Sequence, residues 1–432
     1  MPLQIAISTS TVQSSTSWMT VHVIGAGLSG LATAWYLTER GARVHVREAG
    51  PRPGGLIQTL RTPEGLIETA ARAFTWSERT GALFEAAGVT PLFARDENKR
   101  RYIFRGGRPR RWPLTPAETL GTAARFGGAW VARHVRPRGP ESVAVWGSRV
   151  FGASATEWLL APVLQGIYAA PLDQLSASAL FGKRRSPSGR RASPPHGMGE
   201  LITCLYEGLR KRGATFEFNR PAVPSDLDLS VPTVVCTNAP AAARLLAGRA
   251  PDFAAAINRI RMVSVVAATA FFAPHPRDLR GFGVLFPRSS GVRALGTSFN
   301  AETFHGRSTL RSETWIYGDI DAAALPGTDQ AARDQLMRDR ALLTGRSDAP
   351  IASYVIRLLP ALPVYDAAVL QAQAAADGLP PNLAVAGNFL GRLGVSSLLL
   401  GAAEAVERLL TRRGAPIDVG PASAELGRLQ LT

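Results

Sequence analysis

The chain has 432 residues, 46% apolar and 19% charged, long enough for large buried cores in roughly two or three globular domains. Its formal net charge of +16 rests almost wholly on arginine, since only three of its 49 basic residues are lysine; that skew weakens the charge as a sign of an anionic partner, and no nucleic-acid recognition module accompanies it. Two cysteines, Cys204 and Cys236, exclude a disulfide framework and a cysteine-based metal site, and no apolar run reaches the roughly 18–20 residues of a membrane-spanning helix.

Residues 1–18 are rich in Ser and Thr and lack the basic start and apolar run of a secretory leader. They are expected to form a disordered tail ahead of a natural start at Met19, as are residues 416–432 at the other end. Residues 21–24 then read as a short apolar strand, followed at once by Gly25-Ala26-Gly27-Leu28-Ser29-Gly30. Residues 31–40 read as a helix, Gly41 ends it, and residues 43–47 form a second strand leading to Glu48. A G-x-G-x-x-G loop between strand and helix, with an acid after the second strand, is the signature of a dinucleotide-binding βαβ unit. Gly25 permits the tight turn, Gly27 lets backbone approach a pyrophosphate, and Gly30 lets the helix pack on the sheet. The phosphates sit at the helix N-terminus, and Glu48 takes ribose hydroxyls.

Glu48-Ala49 opens the pattern E-A-x-x-R-x-G-G, completed by Arg52, Gly54 and Gly55. Arg52 can neutralise pyrophosphate charge, and the glycine pair brings backbone N–H groups close. Residues 99–112 hold seven basic residues and no acid, around Arg101. Residues 115–135 carry Leu120, Phe126, Trp130 and Val131, with Arg125, Arg133 and Arg136 nearby, a composition suited to an interfacial helix on an anionic membrane as well as to a core-facing one. His196 is a lone histidine in a Pro-rich turn, readable as an acid–base group or as an ordinary loop residue. Residues 262–273 form the longest apolar stretch and read as a buried strand. Near the end a strand runs into Gly387-Asn388, and Gly394-Val395-Ser396 leads into an apolar helix whose N-terminus can stabilise negative charge.

The glycine loop with its E-A-x-x-R-x-G-G continuation resembles the FAD enzymes of the amine-oxidase superfamily. The run from Pro162 through Gly166-Ile167-Tyr168-Ala169 to Leu175-Ser176 resembles the oxygen-dependent protoporphyrinogen oxidases in particular. The resemblance spans about residues 19–413. It implies an α/β fold with a discontinuous Rossmann-type FAD-binding domain (19–75, 190–250 and 380–415), a sheet-rich substrate domain (76–114 and 255–379), and a mainly helical, membrane-associating insert (115–189). It implies non-covalent FAD, with Arg72, Ala73 and an adenine-side contact at Val223 joining the loop residues and the C-terminal Gly387, Asn388, Gly394, Val395 and Ser396. Substrate contacts fall at Arg101, Leu285, Ser298 and Ile316, with Arg101 on a propionate. The implied reaction is oxidation of protoporphyrinogen IX or coproporphyrinogen III, with hydride to the flavin and then to oxygen, in the cytoplasm or at its membrane face. The family's chemistry needs no catalytic triad and no metal, and the sequence offers neither.

On the substrate side three stretches depart from the family: Glu68 to Ala73, Ser298 in place of an apolar clamp, and Tyr317-Gly318-Asp319. A hydroxyl in an apolar slot is costly if unpaired. An amine oxidase, a carotenoid-type desaturase and a non-catalytic flavoprotein scaffold share the cofactor signatures and remain alternatives.

Overall fold

A computed structural model describes residues 19–96, 100–182 and 189–412. Both tails and Lys99 of the basic cluster lie outside the described residues. The N-terminal pattern folds as strand β1 (Thr20–Ile24), helix α1 (Leu28–Glu39) and strand β2 (Arg43–Arg47). Three later strands join them: β3 (Thr215–Glu217), β4 (Thr233–Val235) and β5 (Leu383–Val385). All pairs are parallel, in the order β3-β2-β1-β4-β5. The strands are short, and apolar at alternate or all positions because both faces of a parallel sheet are covered.

One face is covered by α1, by the helix Met198–Lys211 and by the C-terminal helix α2 (Val395–Arg412). Leu201, Leu205 and Leu209 recur at helical spacing and are wholly buried; full burial of each contributes about 1.5–3 kcal/mol. The other face is covered by helices Ala239–Leu246, Pro251–Asn258 and Ala367–Ala375. Chain reversal of the sheet order at β1 leaves a crevice beyond the carboxyl ends of β1 and β4, where an open α/β sheet binds its ligand.

A second, seven-stranded sheet is built from Ala352–Pro363, Met262–Phe272, Arg311–Asp319, Gly296–Phe299, Gly283–Leu285, Arg101–Arg105 and Arg108–Arg110, in that spatial order. Only the pairing of Gly283–Leu285 with Arg101–Arg105 is parallel, so a segment almost two hundred residues upstream closes this end. Helix Asp329–Thr344 packs on one face over Phe272, Phe286, Trp315 and Tyr317. The cross-strand partners Arg101, Gly283, Ser298 and Thr314 lie in one row, and Ile103, Leu285, Gly296 and Ile316 two residues along on the same face. Side chains at paired positions share a face, so Arg101, Leu285, Ser298 and Ile316 all belong to the face turned away from that helix.

Between residues 116 and 181 the described chain is helical: Pro116–Val131, Val143–Val150, Ala161–Tyr168 and Ala177–Phe181 with short irregular turns between. A small three-stranded sheet of Phe74–Thr75, Arg191–Ser193 and Leu92–Phe93 and the hairpin Thr59–Thr62/Gly65–Glu68 lie between the two large sheets.

Candidate active site

The glycine loop shows why each glycine is there. Gly25 sits at φ +102°, and a Cβ on it would come within 2.8 Å of the Cys236 carbonyl oxygen. A Cβ on Gly30 would lie 1.8 Å from the Gly25 oxygen, so only glycine lets α1 start this close to β1. Gly27 differs: it has an ordinary extended backbone, and its missing Cβ would face open space with only the Gly55 Cα at 4.0 Å. That space belongs to a cavity of about 700 Å³ lined by Gly25, Gly27, Leu28, Ser29, Glu48, Ala49, Gly55, Val223, Gly387 and Asn388, among others. The size is in the range of small-molecule and cofactor sites. No side chain caps the start of α1, so its first N–H groups are left for an anion. Glu48 accepts hydrogen bonds from the Ala26 and Gly50 N–H groups, both at 2.7 Å, which hold the loop closed around the cavity.

Arg52, expected against the pyrophosphate, does not line this cavity. Its guanidinium donates to the carbonyls of Pro53, Gly55 and Ile57 at 3.1–3.2 Å. The tight turn at Gly54 and Gly55, both at positive φ, leaves these carbonyls pointing outward, and a fork of N–H donors satisfies them. Arg52 thus staples the loop that sets Gly54 and Gly55 beside Ala26 and Gly27. The cations that do line the cavity are Arg47, paired with Asp226 at 2.8 Å, and Arg244 at its rim.

Two further cavities share Ala73 and Arg191, and one of them reaches the second sheet. One, about 360 Å³, is lined by Ala73, Thr75, Ile167, Tyr168, Tyr365 and the start of α2 at Gly394, Val395 and Ser396. Ser396 donates to the Thr75 carbonyl at 2.6 Å, which fixes the helix terminus against the Ala73 segment. The Tyr168 and Tyr365 rings lie 5.0 Å apart, tilted 57°. The other, about 230 Å³, is lined by Glu68, Ala70, Arg72, Ala73, Arg191, Phe282, Ser298, Arg307 and Ile316. Arg72, expected on the cofactor, therefore belongs to the cavity of Ser298 and Ile316.

This second cavity is electropositive. Burial pushes the Arg72 guanidinium down to about 10, partly offset by the Glu68 charge. Burial, and then the neighbouring Arg101 charge, lowers Arg191. Burial lowers Arg307 as well, although Glu68 opposes the shift. Desolvation holds the Glu68 carboxyl above the ordinary carboxylate range despite hydrogen bonds from Met198 N–H and Thr59 and the charge of Arg307. All three guanidiniums stay charged near neutral pH, against one carboxylate.

Arg101 stands at the rim. It is exposed, its guanidinium lies 5.2 Å from the centre of the Phe282 ring, and it does not line the cavity that Phe282 lines. Leu285 is also outside the lining, packed against the gap left by Gly166. Val223 lies in the loop after β3 rather than on a strand. His196 is exposed in the turn before its helix, with its N–H on Glu200. Sequence reasoning missed Arg191, Cys236, Asn238, Arg244 and Tyr365; in so arginine-rich a chain nothing local marks one guanidinium as buried.

The geometry is a large cavity at a glycine loop and helix N-terminus, of the kind that takes a dinucleotide, with two smaller cavities at the Ala73 segment. Over residues 28–223 this chain matches the sequence pattern of the flavin containing amine oxidoreductases. Over 90% of its length it is 25% identical to protoporphyrinogen oxidase 2 of Arabidopsis thaliana, covering 94% of that protein. It is 26% identical to coproporphyrinogen III oxidase of Mycobacterium bovis, covering 90% of this chain and 96% of the relative. A solved structure from Exiguobacterium sp. assigned to the protoporphyrinogen oxidases superposes with a TM-score of 0.74 at 18% identity, covering 90% of this chain and 98% of that one.

Proposed function

We propose that the chain binds FAD without a covalent bond and oxidises a porphyrinogen, protoporphyrinogen IX or coproporphyrinogen III, to the porphyrin in haem biosynthesis, with oxygen as final acceptor. When bound, FAD supplies a two-electron acceptor for the hydride leaving a carbon that links two pyrroles. The residues of the glycine loop hold the dinucleotide, and the start of α2 directs its N–H groups toward the flavin end. Neither cysteine is placed to link the flavin: Cys204 lies on the helix Met198–Lys211, and Cys236 is buried at the glycine-loop end with its thiol pushed up to about 12.

One observation carries the choice of substrate: the pocket beyond the flavin end holds Arg72, Arg191 and Arg307 against Glu68 alone. This positive charge repels an ammonium and attracts the carboxylates of a porphyrinogen. The tyrosine pair Tyr168–Tyr365 would suit an amine, but Arg191 lines the same cavity and opposes it. Phe282 and Ile316 provide apolar surface for the macrocycle, Arg101 at the rim takes a propionate, and Ala73 leaves room between the cavities.

Anaerobic mixing with protoporphyrinogen IX, coproporphyrinogen III and an amine panel tests this, read as bleaching of the flavin band. A porphyrinogen should bleach it and no amine should. Arg101→Ala should raise KM about ten-fold, since a guanidinium–carboxylate hydrogen bond contributes about 1.5–3 kcal/mol and 1.4 kcal/mol is one decade. Flavin content should not change. Bleaching by amines alone would overturn the reading.

Peripheral attachment to an anionic membrane forms part of the proposal. Helix Pro116–Val131 has no buried residue, and Leu120, Trp130 and Val131 are 72%, 69% and 77% exposed. Its polar contacts sit near its start, where Glu118 pairs with Arg105 and Thr119 accepts from Trp112, while Phe126 stacks on Phe151. No described helix is long and apolar enough to cross a membrane. Apolar anchors beside Arg125, Arg133 and Arg136 match an anionic lipid surface. The protein should co-float with phosphatidylglycerol vesicles at low salt, and Trp130→Glu with Leu120→Glu should reduce this several-fold; equal flotation of the double variant would remove this helix from the account.

A further inference from the structure

Arg72 lies in the segment between strands Gly65–Glu68 and Phe74–Thr75 and reaches across the pocket to the second sheet. There its guanidinium donates to the Ser298 hydroxyl. Ser298 in turn donates to Asn300 Oδ1 at 3.2 Å, and the Asn300 amide donates to Thr314 at 2.9 Å and Ser312 at 3.1 Å. Thr314 bonds Thr269 at 2.8 Å inside the sheet. Every group in this chain is neutral, so it aims the guanidinium without balancing its charge.

The nearest carboxylate is committed elsewhere. Glu68 takes hydrogen bonds from Thr59 at 2.8 Å, the Met198 N–H at 3.0 Å and Arg307 at 3.3 Å. Among the described residues Arg72 has no ion pair within 4.0 Å. Around it the wall is largely apolar, with Ala70, Ala73, Phe282 and Ile316. A guanidinium with unfilled N–H donors on such a wall is the arrangement that receives a carboxylate in bidentate fashion.

A second cationic group is formed by Arg191, which lines the same cavity, and Arg101 at its rim. Arg101 and Ser298 are separated by the strand Gly283–Leu285, so about 10 Å of sheet lies between their backbones at the usual strand spacing. The cation bonded at Ser298, Arg72, and the cation at the rim, Arg101, are thus anchored two strands apart on one sheet face, with Phe282 and Ile316 adding apolar lining.

We infer that Arg72 is a specificity-determining residue that receives a second substrate carboxylate, and that the substrate is a porphyrinogen carrying carboxylates on opposite edges. This rests on the porphyrinogen reading above. Coproporphyrinogen III, with a propionate on each pyrrole, meets both cationic groups; protoporphyrinogen IX, with propionates on two neighbouring pyrroles only, meets one.

The test compares holoenzyme forms of the wild type, Arg72→Met, Arg72→Lys and Ser298→Ala, each checked for flavin content. The measured quantity is kcat/KM for coproporphyrinogen III divided by that for protoporphyrinogen IX. Arg72→Met should lower this ratio at least ten-fold through KM on the tetracarboxylate, Arg72→Lys should recover part of it, and Ser298→Ala should lower it about three-fold. A ratio unchanged in Arg72→Met and Ser298→Ala overturns the inference. Benzoate titration of the flavin spectrum separates this failure from that of the porphyrinogen reading. If neither porphyrinogen reduces the flavin, that reading falls. A ten-fold weaker benzoate Kd in Arg72→Met but not in Arg101→Ala then supports the carboxylate subsite, and an unchanged Kd overturns it. Should Arg72→Met lose its flavin, the Arg72→Lys and Ser298→Ala values decide by the same ratio.

Discussion

Gly27→Val should yield a folded protein that no longer retains FAD. The backbone at Gly27 is extended, so valine adopts it without strain, and the new side chain meets no protein atom nearer than the Gly55 Cα at 4.0 Å from Cβ. It enters the cavity instead, where the dinucleotide's phosphates would approach the start of α1. Loss of FAD affinity should exceed about a hundred-fold, or roughly 2.7 kcal/mol. The flavin-to-protein absorbance ratio after gel filtration measures this, with circular dichroism to establish the fold. Retention of FAD at the wild-type ratio would mean that the cavity does not hold a dinucleotide. Gly25 and Gly30 would not make this test, because a Cβ at either collides with backbone.

Removing the Glu68 carboxylate should be the most destabilising single change in the pocket wall. Glu68→Leu leaves the Arg307 guanidinium, whose side chain is 4% exposed, without its ion pair at 3.3 Å. The Ser193 hydroxyl at 2.6 Å and the Pro194 carbonyl at 3.0 Å still accept from it, but neither carries charge. Breaking a buried pair from one side costs about 3–5 kcal/mol. The urea midpoint should fall accordingly. The double variant Glu68→Leu/Arg307→Met should regain much of that loss, because an apolar pair leaves no unpaired charge. Equal instability of single and double variants would mean that the packing of these side chains, rather than their charge, holds the segment.

The sequence made the cofactor half readable because its constraints are local. A glycine at positive φ, a glycine against a backbone oxygen and an acid at the next strand end all lie within thirty residues, and each is needed whatever the rest of the chain does. Arg52 shows the limit even there: the residue type and spacing suggested a phosphate ligand, yet the carbonyls of its own turn are closer partners. In the substrate pocket the determinants are long-range. Arg72 and Ser298 each stood out as irregular alone, but their hydrogen bond across 226 residues of sequence is a product of tertiary packing. Arg191 is marked by nothing local among so many arginines; only its pairing beside Phe74–Thr75 sets it between the two cavities.

The arrangement of β5 and α2 also bears on how the molecule is made. The parallel sheet opens with residue 20 but is completed by Leu383–Val385, and the helix that ends the flavin side begins at Val395. A ribosome releases the chain from its N-terminus, so the βαβ unit emerges early while its edge partner and covering helix come last. Until then β4 presents an unpaired edge and α1 an uncovered apolar flank, with the hazards of association that such surfaces bring. High contact order of this kind slows the final closure. A dinucleotide that binds only the closed form would draw the late step forward by mass action, so cellular flavin supply would govern the yield of native protein as well as its activity.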